Sequence, residues 1–298
     1  MAAVIYYISL PFIYLLSLLP FPVLYLLSDG LYVLLCYGFS YRKKVIMQNL
    51  RNSFPDKTEK ELHIICKEYY HYLCDLFLET FKTLSISKEN MVKHCKFSPQ
   101  SSALFAKLAD EKKSIVLVMG HLGNWEWAGN SFSILCKQQL YVIYHPIGNK
   151  YFDGFMYRMR TRFGTKLIAM KNTFREMLTK RSEVSATAFI ADQTPSPENA
   201  YWTTFLNQNT PVFKGTEIIA KKLNYTVVYA TIKKIKRGYY EIFAELLTDD
   251  AANMPDGQIS EMHTTRLEKD IMAAPANWLW SHKRWKHKQP AVNLQDSN

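Results

Sequence analysis

The stretch Ile115-Val116-Leu117-Val118-Met119 constrains the fold of this chain more than any other. It is short, rich in β-branched residues and apolar at every position. Such a run reads as a strand buried on both faces. A strand of that kind needs cover on two sides, and the surrounding sequence supplies it. From Ser101 onward helical and extended patterns alternate. Strands are expected at Ile115–Met119, Leu140–Tyr144, Lys166–Ala169, Ser185–Ile190, Tyr225–Ile235 and Tyr239–Leu246. Helices are expected at Ser102–Ala109, Trp125–Lys137, Asp153–Phe163, Thr173–Lys180, Lys214–Leu223 and Ile259–Ala273. That order predicts an α/β domain, a mostly parallel sheet flanked by helices. Arg237-Gly238, between the last two strands, reads as an antiparallel hairpin turn.

Upstream the chain changes character. Residues 1–41 carry one charge, Asp29, and are cut by Pro11, Pro20 and Pro22. Residues 1–19 have no basic start and no small-residue cleavage site, so a cleaved signal peptide is not expected. Either half of the segment is close to the roughly 20 apolar residues that a span needs. Arg42-Lys43-Lys44 follows, a cluster that stays on the cytoplasmic side of a membrane. Residues 1–41 are therefore expected to be a hydrophobic membrane anchor, whether crossing once, forming a hairpin or lying in the interface. A buried pair of core helices is the alternative. Residues 42–100 read as a helical segment, broken at Ser53-Phe54-Pro55-Asp56 and restarted by Thr58 with Glu61 in a capping box. Leu62, Ile65, Tyr69, Tyr72, Leu73 and Leu76 then repeat at helical spacing, extended by Phe77, Phe81 and Leu84, a stripe read as packing with acyl-chain contact as the alternative. Lys88–Pro99 reads as a polar connection. The α/β domain occupies 101–288, and 289–298 reads as a loose polar tail.

The formal net charge of +11 is unevenly spread. Between Lys150 and Arg181 nine basic residues face only Asp153 and Glu176, and between Lys214 and Arg237 seven face only Glu217. A surface like this attracts nucleic acid, anionic lipid or an acidic protein, or is simply solvated. No nucleic-acid-binding module is recognisable, so nucleic acid is not an expected partner. Cys36, Cys66, Cys74, Cys95 and Cys136 form no Cys-x-x-Cys pair and no zinc spacing, which suits reduced thiols used for packing.

The chemistry concentrates just after the Ile115–Met119 strand, in Gly120-His121-Leu122-Gly123-Asn124-Trp125-Glu126. The carboxyl end of a strand is where open α/β sheets place ligands. Gly123 and Asn124 supply the permissive backbone of a turn. His121 and Glu126 are five apart and cannot share a helix face, but a strand-loop-helix turn can bring them together. Histidine suits proton transfer near neutrality, and a carboxylate on its other nitrogen fixes the tautomer. No Gly-x-Ser-x-Gly elbow occurs, so the pair would activate a substrate hydroxyl. The plainer alternative is a loop histidine beside a helix-start glutamate.

Other residues present the same choice. Arg158, Arg160 and Arg162 are phosphate ligands or solvated charges. Asp192 and Gln193, at the end of another strand, are site residues or loop caps. Lys214 opens a helix whose amides favour anions, or caps it. Trp278, Trp280 and Trp285, among Lys283, Arg284 and Lys286, suit a headgroup-level surface or a core. His145, before Pro146, reads as a structural loop histidine.

Four segments carry a resemblance. His121–Glu126 resembles the His-x4-(Asp/Glu) motif of the glycerolipid and lipid A acyltransferase superfamily. Ala191-Asp192-Gln193-Thr194-Pro195 resembles the Asp-Gln block of the bacterial lipid A late acyltransferases, and so does Thr210-Pro211-Val212-Phe213-Lys214-Gly215-Thr216-Glu217. Asn277-Trp278-Leu279-Trp280-Ser281-His282-Lys283-Arg284-Trp285-Lys286 resembles that family's Trp-x-Trp-x-His-(Lys/Arg)-Arg closure. The similarity runs from the apolar N-terminus to about residue 288.

The resemblance implies a lysophospholipid acyltransferase-like enzyme at the cytoplasmic face of the bacterial inner membrane. It would move an acyl group from acyl carrier protein, or acyl-CoA, to a hydroxyl of a lipid A precursor. His121 would be the base and Glu126 its orienter. Arg158 matches a family arginine linked to activity. Asn124, Asp192, Gln193 and Lys214 complete the expected substrate-binding set. No metal and no tightly held cofactor are implied. The rival readings are an acyltransferase for an aminoacyl lipid or glycolipid, and a non-catalytic basic membrane scaffold.

Overall fold

A computed structural model describes residues 2–290. Most of the expected tail, residues 291–298, lies outside them. Two apolar helices lead: α1 (Ala2–Leu18) and α2 (Phe21–Val33), the second continued by a π-turn at Leu34–Gly38. Next come α3 (Lys43–Ser53) and the long α4 (Glu59–Lys82). The capping box is present: the Glu61 amide donates to Thr58 Oγ1 at 3.4 Å, and the Thr58 amide to the Glu61 carboxylate at 2.7 Å. Of the expected stripe, Leu62, Ile65, Tyr69, Tyr72 and Leu76 are buried, as packing requires, Leu73, Phe81 and Leu84 are half-buried, and Phe77 is exposed.

The domain continues through α5 (Lys88–His94), β1 (Cys95–Phe97), α6 (Pro99–Asp110), β2 (Ile115–Met119), α7 (Trp125–Leu135) and β3 (Gln139–Tyr144). It goes on through α8 (Lys150–Thr161), β4 (Lys166–Ala169), α9 (Thr173–Thr179), β5 (Ser185–Ile190), β6 (Ala200–Phe205) and β7 (Gln208–Phe213). The last elements are α10 (Gly215–Leu223), β8 (Thr226–Lys236), β9 (Tyr239–Thr248) and α11 (Gln258–Ala273).

The sheet has seven strands in the order β1-β9-β8-β2-β5-β3-β4. From β8 to β4 every neighbour is parallel; β9 returns antiparallel to β8, and β1 pairs parallel to β9. The central strand β2 is buried along its whole length. Its Ile115, Leu117 and Met119 face Phe105 of α6 and Trp127 and Phe132 of α7. Val116 and Val118 face Met177, Ile219 and Ile259 on α9, α10 and α11. The expected α/β layering is thus realised, with β2 at its centre.

Two segments differ from expectation. Lys88–Pro99 is not a plain connection: α5 and the edge strand β1 lie within it, and Met91, Cys95 and Phe97 are buried. Its apolar positions are too few to show a period. The β6–β7 hairpin, a separate two-stranded ribbon, had no expected strand. Its turn is Leu206-Asn207, both with positive φ (49° and 61°), so a buried leucine occupies a position that usually signals glycine or asparagine. Pro211 inside β7 further masks the pattern.

The two apolar helices lie against the domain. Tyr6 and Ile13 pack with Phe155 and Met159 of α8. Lys82 of α4 donates to the carbonyls of Ser17 and Leu19, each at 2.7 Å. Ser28 donates to Asp75 at 2.7 Å, and the Arg237 guanidinium bridges Asp29 and Asp75. Outward, Ile8, Phe12, Leu15, Leu26, Leu34 and Phe39 are exposed.

Candidate active site

The loop after β2 is shaped by its two glycines. Gly123 has φ +65°, and a Cβ there would stand 2.3 Å from the Ile232 carbonyl oxygen. At Gly120 a Cβ would press into Leu267 and reach 3.1 Å from an Asp192 carboxylate oxygen. Both positions exclude a side chain, and the second lets Asp192 approach the loop. Asp192 follows β5, the parallel neighbour of β2, so two strand ends that are adjacent in the sheet deliver the pair.

His121 and Asp192 form the centre. The imidazole Nδ1 stands 2.5 Å from Asp192 Oδ1. Asp192 Oδ2 accepts the His121 backbone N–H and the Trp278 indole N–H, each at 2.7 Å. Nδ1–H therefore points at the carboxylate, and Nε2 is left to accept a proton. Burial alone would oppose ionisation of Asp192. The imidazole and the hydrogen bonds from His121 and Trp278 outweigh it and hold the carboxyl at about 2. The Gln193 amide nitrogen lies 3.4 Å from Nε2, and the Trp125 ring stands edge-on to the imidazole at 4.8 Å.

The expected orienter is elsewhere. Glu126 binds Arg160 of α8: Nε donates to both carboxylate oxygens at 3.0–3.2 Å, and a terminal nitrogen donates at 2.5 Å. The reading of Glu126 as the partner of His121 is corrected by this geometry. Five residues bring Glu126 into the first turn of α7, where α8 lies alongside, whereas the strand register brings Asp192 to the ring. Arg158 is likewise not the arginine of this cleft. It donates to the Tyr6 hydroxyl at 2.8 Å and fastens α1 to α8. Arg162 binds the carbonyl of Ile86 at 2.7 Å and that of Thr83. Alternation along one helix turn sends the three guanidiniums to three destinations.

Asn124 is also turned away from the cleft. It is fully buried, its Oδ1 accepts the Trp127 amide at 3.0 Å, and its amide donates to Glu79 at 2.8 Å. It caps α7 and ties the His121 loop to α4, so the substrate-contact reading of Asn124 does not hold. Lys214 stands exposed at the start of α10 with no side-chain cap bond, outside the cavity walls. Trp278 and Trp280 are buried, which excludes a headgroup-level position for both.

A cavity of about 280 Å³ opens beside His121, Gln193, Glu126 and Arg160 and runs between α7 and the sheet. Its deeper walls are apolar, including Leu117, Phe132, Leu140 and Ala188. The loop amides give little to this space. Those of His121, Leu122 and Gly123 are engaged by Asp192, the Gly120 carbonyl and the Asn277 carbonyl. The polar side chains lining it include Gln193 and Arg160 near His121, with Tyr144, His145 and Thr165 elsewhere on its walls. Among the described residues no group of three His, Cys, Asp or Glu is placed to hold a metal.

Residues 1–287 match the family described as bacterial lipid A biosynthesis acyltransferase. The chain belongs to that family. It is 21% identical over 271 residues to the lipid A biosynthesis palmitoleoyltransferase of Escherichia coli, covering 90% of this chain and 86% of the relative. It is 21% identical over 292 residues to the lipid A biosynthesis acyltransferase of Haemophilus influenzae, covering 96% and 88%. The protein is thus an acyltransferase. Two members of its site had no clear sign in the sequence. Arg160 was one of three arginines, and Trp278 read equally well as core. The signal for Asp192 was stronger, a carboxylate at the carboxyl end of a strand, within a block resembling the family's; that this strand neighbours the one before His121 is seen only in the structure.

Proposed function

We propose that this lipid A acyltransferase family member transfers a fatty acyl group from acyl carrier protein, or acyl-CoA, to a hydroxyl of a lipid A precursor. One observation carries the reading: His121, aligned by Asp192, presents Nε2 at the mouth of an apolar-walled cavity. Nε2 takes the proton of the acceptor hydroxyl as its oxygen attacks the thioester carbonyl. Asp192 stabilises the imidazolium that results. Gln193, beside Nε2, and Arg160 donate to the tetrahedral oxyanion. Collapse breaks the carbon–sulfur bond, and the imidazolium returns its proton to the leaving thiolate. The acyl chain occupies the cavity.

The reaction belongs at the cytoplasmic face of the inner membrane. Among the described residues, Phe21–Gly38 is the one helical stretch with the length and apolarity of a span. Yet Ser28 and Asp29 within it are tied to Asp75 and Arg237. Crossing would break those bonds, so we place α1 and α2 flat in the interface, apolar face down. The basic surface suits an acidic carrier protein and a phosphorylated acceptor.

Mass spectrometry of lipid A from cells with and without the protein tests the reaction. One secondary acyl group should be missing without it, and complementation with His121→Ala should not restore it. Unchanged lipid A would overturn the proposed acceptor. For the membrane placement, the protein should resist a high-salt wash and yield to detergent; wholly soluble protein would refute it.

A further inference from the structure

The cavity beside His121 runs down along the sheet, and the strand register orders its walls by depth, with Leu140 the deepest of the strand residues that line it. Met119 and Ile190 stand side by side at the mouth, Leu117, Ala188 and Val142 form the next level, and Leu140 lies one level lower beside Ala186. At about 3.3 Å per residue, Leu140 sits roughly 13 Å below Met119. Helix α7 forms the facing wall. Trp125 and Glu126 are near the mouth, Gly129 is one turn deeper, and Phe132 is deeper again. Thr165, bonded to Ser133 at 2.7 Å, closes the side.

Gly129 has no local reason to be glycine. It lies inside α7, outside the left-handed backbone region. Glycine weakens a helix interior relative to alanine. A Cβ at this position would meet only Leu140 Cδ2, at 3.9 Å, which is ordinary contact. Neither backbone nor packing excludes a methyl group. What glycine provides is room between α7 and Leu140, one helix turn below the mouth of the cavity.

We propose that Gly129, with Leu140 opposite, is the stop that sets the length of acyl chain the protein accepts. The proposal rests on the acyl-transfer reading above. A chain that fits is buried to its terminal methyl. A chain one or two methylenes longer must fold back or leave apolar surface in water. A side chain at position 129 moves the stop toward His121 and shifts the preference to shorter donors. Alanine moves it slightly and leucine by more.

The test uses the purified full-length protein in detergent, the acceptor lipid, and acyl carrier protein and CoA thioesters carrying saturated chains of increasing length. kcat/KM is measured for each donor with wild type, Gly129→Ala and Gly129→Leu. For Gly129→Leu the longest donors used by wild type should fall by at least about tenfold relative to the shortest. Gly129→Ala should shift the profile the same way by less, with Tm unchanged or raised. Should the leucine variant not fold, the alanine variant decides alone. An unchanged profile, or an equal loss at every length, would overturn the assignment of Gly129 while leaving the acyl-transfer reading standing. Absence of transfer by wild type from every donor would overturn that reading and this proposal together.

Discussion

Two carboxylates serve the same cleft and are built differently. Asp192 is 2% exposed, and both of its oxygens are committed, one to the His121 ring and the other to two N–H groups. Glu126 is 12% exposed and holds Arg160, itself 27% exposed, in a bidentate pair at the cleft. The first arrangement fixes one proton on one nitrogen and presents nothing to a ligand. The second keeps a guanidinium in place while leaving part of it open. Closeness in sequence pointed to the wrong carboxylate: His121 and Asp192 are 71 residues apart, but they end neighbouring parallel strands. In a sheet of this kind, residues at adjacent strand ends meet more reliably than residues five apart along a turn.

If that contrast is right, losses should follow depth. His121→Ala removes the base and should cost about 10²–10⁴-fold in rate with the fold intact. Initial rates on purified protein, with circular dichroism as the control, measure this. A variant keeping more than half the wild-type rate would remove His121 from the chemistry.

Asp192→Asn comes next. It keeps the shape but loses the charge that holds the tautomer, so kcat should fall on the order of 10²-fold or more, with KM little changed. A stability change should accompany it. The carboxyl of Asp192 titrates at about 2 in the folded protein against 3.8 when unperturbed. A depressed folded value stabilises the fold above the unperturbed pKa, and that stability is lost as pH falls toward the folded one. Chemical denaturation of wild type between those two pH values should show the loss, and the asparagine variant should lack that part of it. Parallel curves for the two proteins would mean that the carboxylate is not held as described.

How much of this was legible in the sequence follows the same division. Local signals read well: the Ile115–Met119 strand, the Thr58–Glu61 cap, and the alternation that sets the parallel sheet. Non-local choices did not. Nothing along the chain says that Arg160 and not Arg158 faces the cleft, because both are charged and only the rotation of α8 separates them. Nothing local marks β6 and β7 either, since a buried leucine fills the left-handed turn position there. The apolarity of the N-terminus was plain in the sequence, but its docking on the domain depends on Asp75, Lys82 and Arg237, distant in sequence.

Glu126→Gln sharpens the comparison from the other side. It breaks the pair with Arg160 without touching His121. The loss should be about tenfold and be shared between kcat and KM, because a loosened guanidinium serves the oxyanion and the substrate less well while proton transfer at His121 is untouched. A loss confined to kcat and as deep as that of Asp192→Asn would give Glu126 back the role of orienter.

The smallest effect is expected at Arg158, and it separates two neighbours that the sequence alone cannot rank. Arg158 contacts the Tyr6 hydroxyl, outside the cavity, while Arg160 lines it. Arg158→Ala therefore removes one hydrogen bond between α1 and α8, worth about 1 kcal/mol. Tm should fall by a few degrees at most, and the rate should stay within about twofold of wild type. Arg160→Ala leaves Glu126 partly buried without its partner and takes a donor from the cleft, so its loss should exceed tenfold. Tyr6→Phe provides the control, since it should reproduce the Arg158→Ala stability change if the hydrogen bond is its whole origin. Steady-state kinetics and thermal unfolding of the three variants decide the order. A collapse of activity in Arg158→Ala, with Arg160→Ala nearly intact, would mean that α8 presents its other side to the substrate.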